Sequence, residues 1–230
     1  MNKQKFHKID LQNWERYTHF YYFSKMTNVG FNLTIEIDIT NLLKETKKRN
    51  IKFYPAYLYT ITTCLNRYRE LKIAYDEDEL GYWNTLTPLY AIFHDDNKTF
   101  SSIWTEYDEN FSIFYENYLA DVKEYGKNHG FLAKPNPPRN CYTVSCLPWI
   151  SFKSFTVHNH GLENYFFPTI EAGKYYQKDE KILLPLSITV HHATTDGYHV
   201  SCFIDYIQKC ALILRYGYTK NLYNIKRTVA

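Results

Sequence analysis

A mixed α/β fold in one domain is what this 230-residue sequence predicts, on three observations. Apolar and polar residues alternate along residues 31–39 (FNLTIEIDI), the period-two pattern of a half-buried strand. Large apolar side chains recur at helical spacing in two later segments, and residues 182–190 are almost continuously apolar, as in a buried strand. Gly and Pro number only eight each, no stretch has linker composition, and no repeat is visible. One domain over residues 1–214 follows, without the regular alternation of a doubly wound parallel sheet.

Each element has a local cause. Thr40 reads as the N-cap of a short charged helix over residues 41–48. Pro55 suits the first turn of a helix running to residue 69, with Leu58, Ile61, Thr62 and Leu65 on its inner face. Residues 82–83 and 89–94 read as strands around a turn at Pro88. A helix over residues 108–126 carries Phe111, Phe114, Tyr115, Tyr118, Leu119 and Val122 at helical spacing. Residues 134–138 (KPNPP) cannot continue it, because proline lacks the amide hydrogen and fixes φ. Residues 141–147 and 182–190 are strands, and 199–214 is a closing amphipathic helix.

Composition narrows the partners. The aromatic share, 18% with 23 Tyr, is high. Aromatics supply stiff contact area suited to interfaces and flat ligands, although AT-rich coding accounts for the same enrichment. The net charge of +3 is too small to indicate a nucleic-acid partner. Its only bias is a basic tail over residues 215–230, which holds Arg215, Lys220, Lys226 and Arg227 and no acid. Without those four, the 27 basic residues fall to 23, against 24 acidic. Five cysteines with no C-x-x-C pair read as reduced thiols. The first residues lack an apolar signal region, and no run approaches the roughly 18 apolar residues of a membrane span. A cytoplasmic protein with no membrane partner is expected.

The chemistry concentrates where the apolar strand ends, in His191-His192-Ala193-Thr194-Thr195-Asp196-Gly197. Adjacent strand residues face opposite sides, so the two histidines cannot both enter one site. Three readings fit the local residues. Both histidines can be satisfied core or loop groups. One of them can join Asp196 and His199 around zinc, which needs a kink to make the ligands converge. Or His192 can act as a general base toward an acceptor hydroxyl, since imidazole titrates near working pH.

Other segments favour the third reading. Trp14-Glu15-Arg16, Phe31-Asn32-Leu33-Thr34, Lys52-Phe53-Tyr54-Pro55, Phe93-His94, Thr99-Phe100-Ser101, Val144-Ser145 with Pro148-Trp149, Gly173-Lys174-Tyr175 and Leu184-Pro185-Leu186 join the HHxxxDG motif. In that order and spacing, the chain resembles the trimeric, histidine-motif chloramphenicol acetyltransferases up to about Leu214. The resemblance implies an α+β two-layer sandwich of the CoA-dependent acyltransferase kind, a mixed β-sheet with helices packed on one side. It implies acetyl transfer from acetyl-CoA, a co-substrate rather than a bound cofactor, to a hydroxyl of chloramphenicol. It implies a homotrimer with active sites between subunits.

By the same resemblance, His192 is the base, Ser145 donates to the oxyanion, and Asp196 pairs structurally with Arg16. Lys52, Tyr54, Trp149 and Lys174 fall at positions near the CoA tunnel, the two lysines toward phosphate. Phe23, Thr27, Val29, Phe31, Phe100, Ser102 and Glu171 fall at acceptor positions, and no metal is expected. The sequence departs from the family at two places. Glu171 occupies a slot usually held by Thr, where it could act on His192, hold the acceptor or turn outward. Phe23 replaces a Tyr, with further changes at Thr27, Val29 and Ser102. These departures keep open an apolar alcohol or xenobiotic other than chloramphenicol, and a non-catalytic binding protein on the same fold.

Overall fold

The computed structural model describes residues 5–158 and 164–213; the predicted basic tail and Leu214 lie outside the described residues. The chain begins with β1 (Phe6–Lys8), then α1 (Tyr17–Tyr21), which continues as a π-helical stretch over Tyr22–Met26. Next come β2 (Gly30–Asp38), α2 (Thr40–Lys48) and α3 (Phe53–Leu65). Two hairpins follow, β3 (Ile73–Asp76) with β4 (Glu79–Trp83) and β5 (Thr87–His94) with β6 (Thr99–Trp104). The chain continues through α4 (Phe111–Tyr125), β7 (Cys141–Cys146), β8 (Thr169–Ala172), β9 (Tyr176–Lys178), β10 (Lys181–His191) and α5 (Gly197–Ile213).

The main sheet runs β2-β10-β8-β7-β5-β6, with β9 beside β10. The β8–β7 and β7–β5 pairs are parallel and the others antiparallel, so the sheet is mixed. Its two faces differ. Leu184, Leu186, Ile188 and Val190 of β10 join Ile37, Val144 and Ile170 in one core with Leu42 and Leu43 of α2, Leu58, Ile61 and Leu65 of α3, and Val200, Phe203 and Ile207 of α5. The opposite face carries Asn32, Thr34, Ser145, Thr169, Glu171, Ser187 and Thr189, by the alternation of side chains along each strand. Segment 151–158 crosses that face, where Ser187 Oγ donates to the Phe155 carbonyl (2.7 Å). A smaller sheet, β1-β4-β3, packs with α1 around Ile9, Phe20, Ile73, Leu80, Phe166 and Ala193. No helix among the described residues is long and apolar enough to cross a membrane.

Several boundaries differ from the sequence reading, each for a local reason. Thr40 opens α2 rather than capping it: Asp38 Oδ1 accepts both the Thr40 amide (3.0 Å) and hydroxyl (2.6 Å). The Thr40 hydroxyl in turn accepts the Ile182 amide (2.8 Å), tying the helix start to β10. Helix α3 stops at Leu65 rather than residue 69, because the Asn66 side chain is taken by the Leu86 backbone, accepting its amide at 2.6 Å and donating to its carbonyl at 3.2 Å. Pro88 lies inside β5 instead of at a turn, near the strand's start, where a missing amide hydrogen is tolerated. Residues 82–83 belong to the small sheet, not to a hairpin with β5. Helix α4 starts at Phe111, capped by Asn110 Oδ1 on the Ser112 amide (2.9 Å), and Leu119 is exposed rather than inward.

Candidate active site

The motif begins at the end of β10, where the antiparallel pairing with β2 finishes at His191 opposite Gly30. The His192 amide still donates to the Val29 carbonyl (2.8 Å), and the chain then turns, with the Thr194 and Thr195 amides both donating to the His191 carbonyl at 3.2 Å. The two imidazoles diverge. His191 rests edge-on against Phe166 (4.8 Å between centroids). Its Nδ1 accepts the Ala193 amide (3.1 Å), so its proton sits on Nε2 and faces Asn28 Oδ1 (3.0 Å). Burial, then the neighbouring His192, push its pKa down to about 4, and it stays neutral at physiological pH.

His192 is held differently. Its ring stacks on Phe23 (4.0 Å, 21°) and meets Phe31 edge-on (5.3 Å, 77°). Its Nδ1 lies 3.2 Å from the Thr195 carbonyl, which can only accept; the proton is therefore on Nδ1 and Nε2 presents a lone pair. Arg16 fixes the loop around this ring. Its guanidinium donates to the His192 carbonyl (2.9 Å), the Ala193 carbonyl (2.9 Å) and Asp196 Oδ2 (2.8 Å). The other Asp196 oxygen meets His199 Nδ1 at 2.7 Å. Burial pushes the Asp196 carboxyl up, but the Arg16 hydrogen bond and the charges of His199 and Arg16 outweigh it and hold the group below its ordinary value.

A second cluster lies at the ends of β5 and β7, beside the N-terminus of α3. A cavity of about 800 Å³ there is lined by Ser145, Tyr54, Trp149, Lys174 and Phe100, five of the predicted residues. The wall also takes Phe53, Phe93, Lys98, Cys146 and Tyr175, to which the sequence reading gave no role. Phe53, Phe93 and Tyr175 lie within the matching segments, but Lys98, on a hairpin turn, has no periodic signal. Trp149 is exposed and packs edge-on against Phe93 (4.7 Å). Close approach of Phe152 explains Gly173: a Cβ there would meet the Phe152 ring at 2.9 Å. Burial pushes the Cys146 thiol up to about 11, so it is no nucleophile at neutral pH.

Glu171 does not turn outward. It is 3% exposed, sits in register between Ser145 of β7 and Ser187 of β10, and its Oε2 has no hydrogen-bond partner among the described residues. Ser187 is already engaged by Phe155 and by Asn32 Nδ2 (2.7 Å). Burial pushes the Glu171 carboxyl up to about 7.

The structure thus brings Phe23, Val29, Phe31, Arg16 and Asp196 to His192, and Tyr54, Phe100, Trp149 and Lys174 to Ser145. Lys52 is exposed and does not line the cavity; Thr27 is exposed, its hydroxyl donating to the Tyr22 carbonyl (3.2 Å). Ser102 is buried, its amide donating to the Phe131 carbonyl (2.7 Å). The two clusters do not meet in one chain. Ser145 is two strands from Ser187, and His192 lies five residues further along, so strand spacings of about 3.3 and 4.8 Å put them roughly 20 Å apart.

Comparison with known proteins bears on this arrangement. A family model described as chloramphenicol acetyltransferase matches residues 4–208. A chloramphenicol acetyltransferase of Clostridium perfringens is 44% identical over 208 residues, covering 90% of this chain and 95% of that protein. One from Clostridium butyricum is 44% identical over 207 residues, covering 90% and 94%. A solved chloramphenicol acetyltransferase structure superposes with a TM-score of 0.79 at 22% identity, over 91% of this chain and all of that one.

Proposed function

The chain belongs to the chloramphenicol acetyltransferase family, and from that premise we propose that it moves the acetyl group of acetyl-CoA to a hydroxyl of chloramphenicol, with His192 as general base. One observation carries the reading: the Thr195 carbonyl holds the proton on Nδ1 and leaves Nε2 of His192 as a free acceptor between two aromatic rings.

The co-substrate occupies the cavity at Ser145. Tyr54 and Trp149 flank its chain, and Lys174 at the surface, with Lys52 beyond it, offers charge to its phosphates. His192 Nε2 takes the proton of the acceptor hydroxyl as the oxygen attacks the thioester carbonyl. The Ser145 hydroxyl donates to the oxyanion of the tetrahedral intermediate, where such a donor is worth about 10²–10³ in rate. Collapse breaks the C–S bond, and the departing thiolate recovers the proton from His192. Arg16 and Asp196 position the base through the loop and take no part in proton transfer.

The separation of His192 from Ser145 is bridged when His192 of one copy faces the Ser145 cavity of the next, as in a closed ring of identical chains. A homotrimer is the assembly this reading takes. Phe23, Phe31, Phe100 and Glu171 then surround the acceptor. Glu171 and Phe23 favour a second reading at one point only: an acceptor other than chloramphenicol, an apolar alcohol with a hydrogen-bonding group aimed at the carboxyl, is served by the same chemistry.

Thiol release from acetyl-CoA, with chloramphenicol as acceptor, tests the proposal. His192→Ala is expected to lose at least about 10³-fold in kcat, since a positioned base contributes about 10²–10⁴. Near-parent turnover by that variant ends the mechanism, and parent silence with chloramphenicol but turnover of another alcohol moves the acceptor to the second reading.

A further inference from the structure

Beside the cavity, where β5 ends, two imidazoles and a carboxylate that the reaction does not use come together; His94 follows the cavity-lining Phe93 and so faces the other side of the strand. His94, 7% exposed, lies with its ring centroid 4.3 Å from that of exposed His129, in the segment after α4. Asp96, on the turn between β5 and β6, puts Oδ2 3.3 Å from His129 Nε2. One donor atom from each of the three lies within 4.8 Å of the others. We propose that His94, Asp96 and His129 bind a divalent transition-metal ion of the Zn²⁺ class, clamping the β5–β6 turn to the segment after α4.

The buried histidine is set up for this. Ser101 Oγ spends its only proton on the Asn128 carbonyl (2.8 Å), so it must accept from His94 Nε2 at 2.7 Å. That fixes the His94 proton on Nε2 and leaves Nδ1 as a bare lone pair, the arrangement that orients metal-binding histidines. His129 and Asp96 face each other across Nε2; a cation takes the place of the proton there, the ring's proton moves to Nδ1, and the exposed imidazole swings away from the Asn97 amide (3.1 Å), which Thr99 holds through Oδ1. Asp95, the acid adjacent in sequence, is paired with Lys98 Nζ (3.2 Å).

Two nitrogens and one oxygen select the metal class. Ca²⁺ and Mg²⁺ demand shells of oxygen, whereas Zn²⁺ takes three such protein ligands and completes a tetrahedron with water. Ligand separations of roughly 3.3 Å are needed at Zn–N distances near 2.0 Å, so Asp96 and His129 must close toward His94; both are exposed and have the freedom to do so. The same turn carries Lys98 to the wall of the cavity, so the ion also braces that wall.

The test uses the full chain, tag removed and stripped with EDTA, titrated with ZnCl₂ by calorimetry and followed by thermal melting. One ion per chain is expected to bind at this site, at least about tenfold more tightly than in His129→Ala or Asp96→Asn. Parent and variants should melt together in EDTA, showing that the exposed substitutions leave the fold alone, and only the parent should gain melting temperature with Zn²⁺. Co²⁺ should give the visible absorption of a low-coordinate site in the parent and not in His129→Ala. Equal Zn²⁺ affinity in parent and variants, or no Zn²⁺-dependent rise in the parent, overturns the proposal.

Discussion

Glu171→Gln removes a titratable group from beside Ser145 while keeping the side chain's shape. The carboxyl is 3% exposed, its Oε2 finds no partner among the described residues, and burial pushes it from an ordinary 4.5 up to about 7. A shift of that size corresponds to about 3 kcal/mol between protonation states. The sign follows from linkage. In the unfolded chain the group loses its proton near 4.5, whereas the folded chain keeps it until about 7, so the folded state is increasingly penalised as pH rises across that window. Below pH 4.5 the group is neutral in both states and the penalty is absent. Glutamine is neutral throughout. Denaturant unfolding at pH 5 and pH 8 measures the difference. The parent should lose up to about 3 kcal/mol more than Glu171→Gln over that interval, and the variant should be the more stable protein at pH 8. If parent and variant lose stability in parallel, the carboxyl is not desolvated in the folded protein.

Three further outcomes test other parts of the structure. Arg16→Ala removes three hydrogen bonds from the loop that holds His192; the pair with Asp196 is only partly buried, so a loss of about 2–3 kcal/mol is expected rather than the 3–5 of a fully buried pair, and an unchanged thermal melt would contradict it. His191, with its pKa pushed down to about 4, should contribute stability that is complete above pH 6.5 and is lost as pH falls toward 4; His191→Gln should show a shallower acid slope in urea midpoints, and an equal slope would count against a neutral, desolvated ring. Subunits of inactive His192→Ala and Ser145→Ala, unfolded together and refolded as a mixture, should recover about a quarter of parent activity if each site takes its histidine from one copy and its serine from another. No recovery above the separately refolded variants places both groups in one chain.

What the sequence made legible follows physical range. Residues 31–39 and 182–190 announce β2 and β10 because one face of each strand meets the helices, and the pattern is written in consecutive residues. The spacing around Phe111, Phe114 and Tyr118 announces α4 for the same reason. Pro88 and Thr40 misled because their usual roles were overridden by partners distant in sequence, the parallel neighbour β7 in one case and Ile182 in the other. The β3–β4 hairpin escaped notice: its four-residue first strand is too short for a period, and its turn is made by acidic residues, with Glu77 at φ +56°, instead of glycine.

The site divides along the same line. The histidine motif is readable because its residue types are chemically loaded and adjacent. Arg16, 180 residues from Asp196, is visible only through family resemblance, because no local rule links a guanidinium to a carboxylate at that distance. The cavity is assembled from strand ends and loops of several segments, so its volume exists only after folding. The separation of about 20 Å between His192 and Ser145 goes a step further, since even one folded chain does not complete the arrangement. On the proposed function, a base fixed in its tautomer by its own loop, a serine fixed in a sheet two strands away, and a buried carboxylate whose Oε2 finds no partner among the described residues act together when a second copy closes the gap. On this reading the stability that Glu171 forgoes in one chain is recovered when the acceptor supplies a partner for its carboxyl.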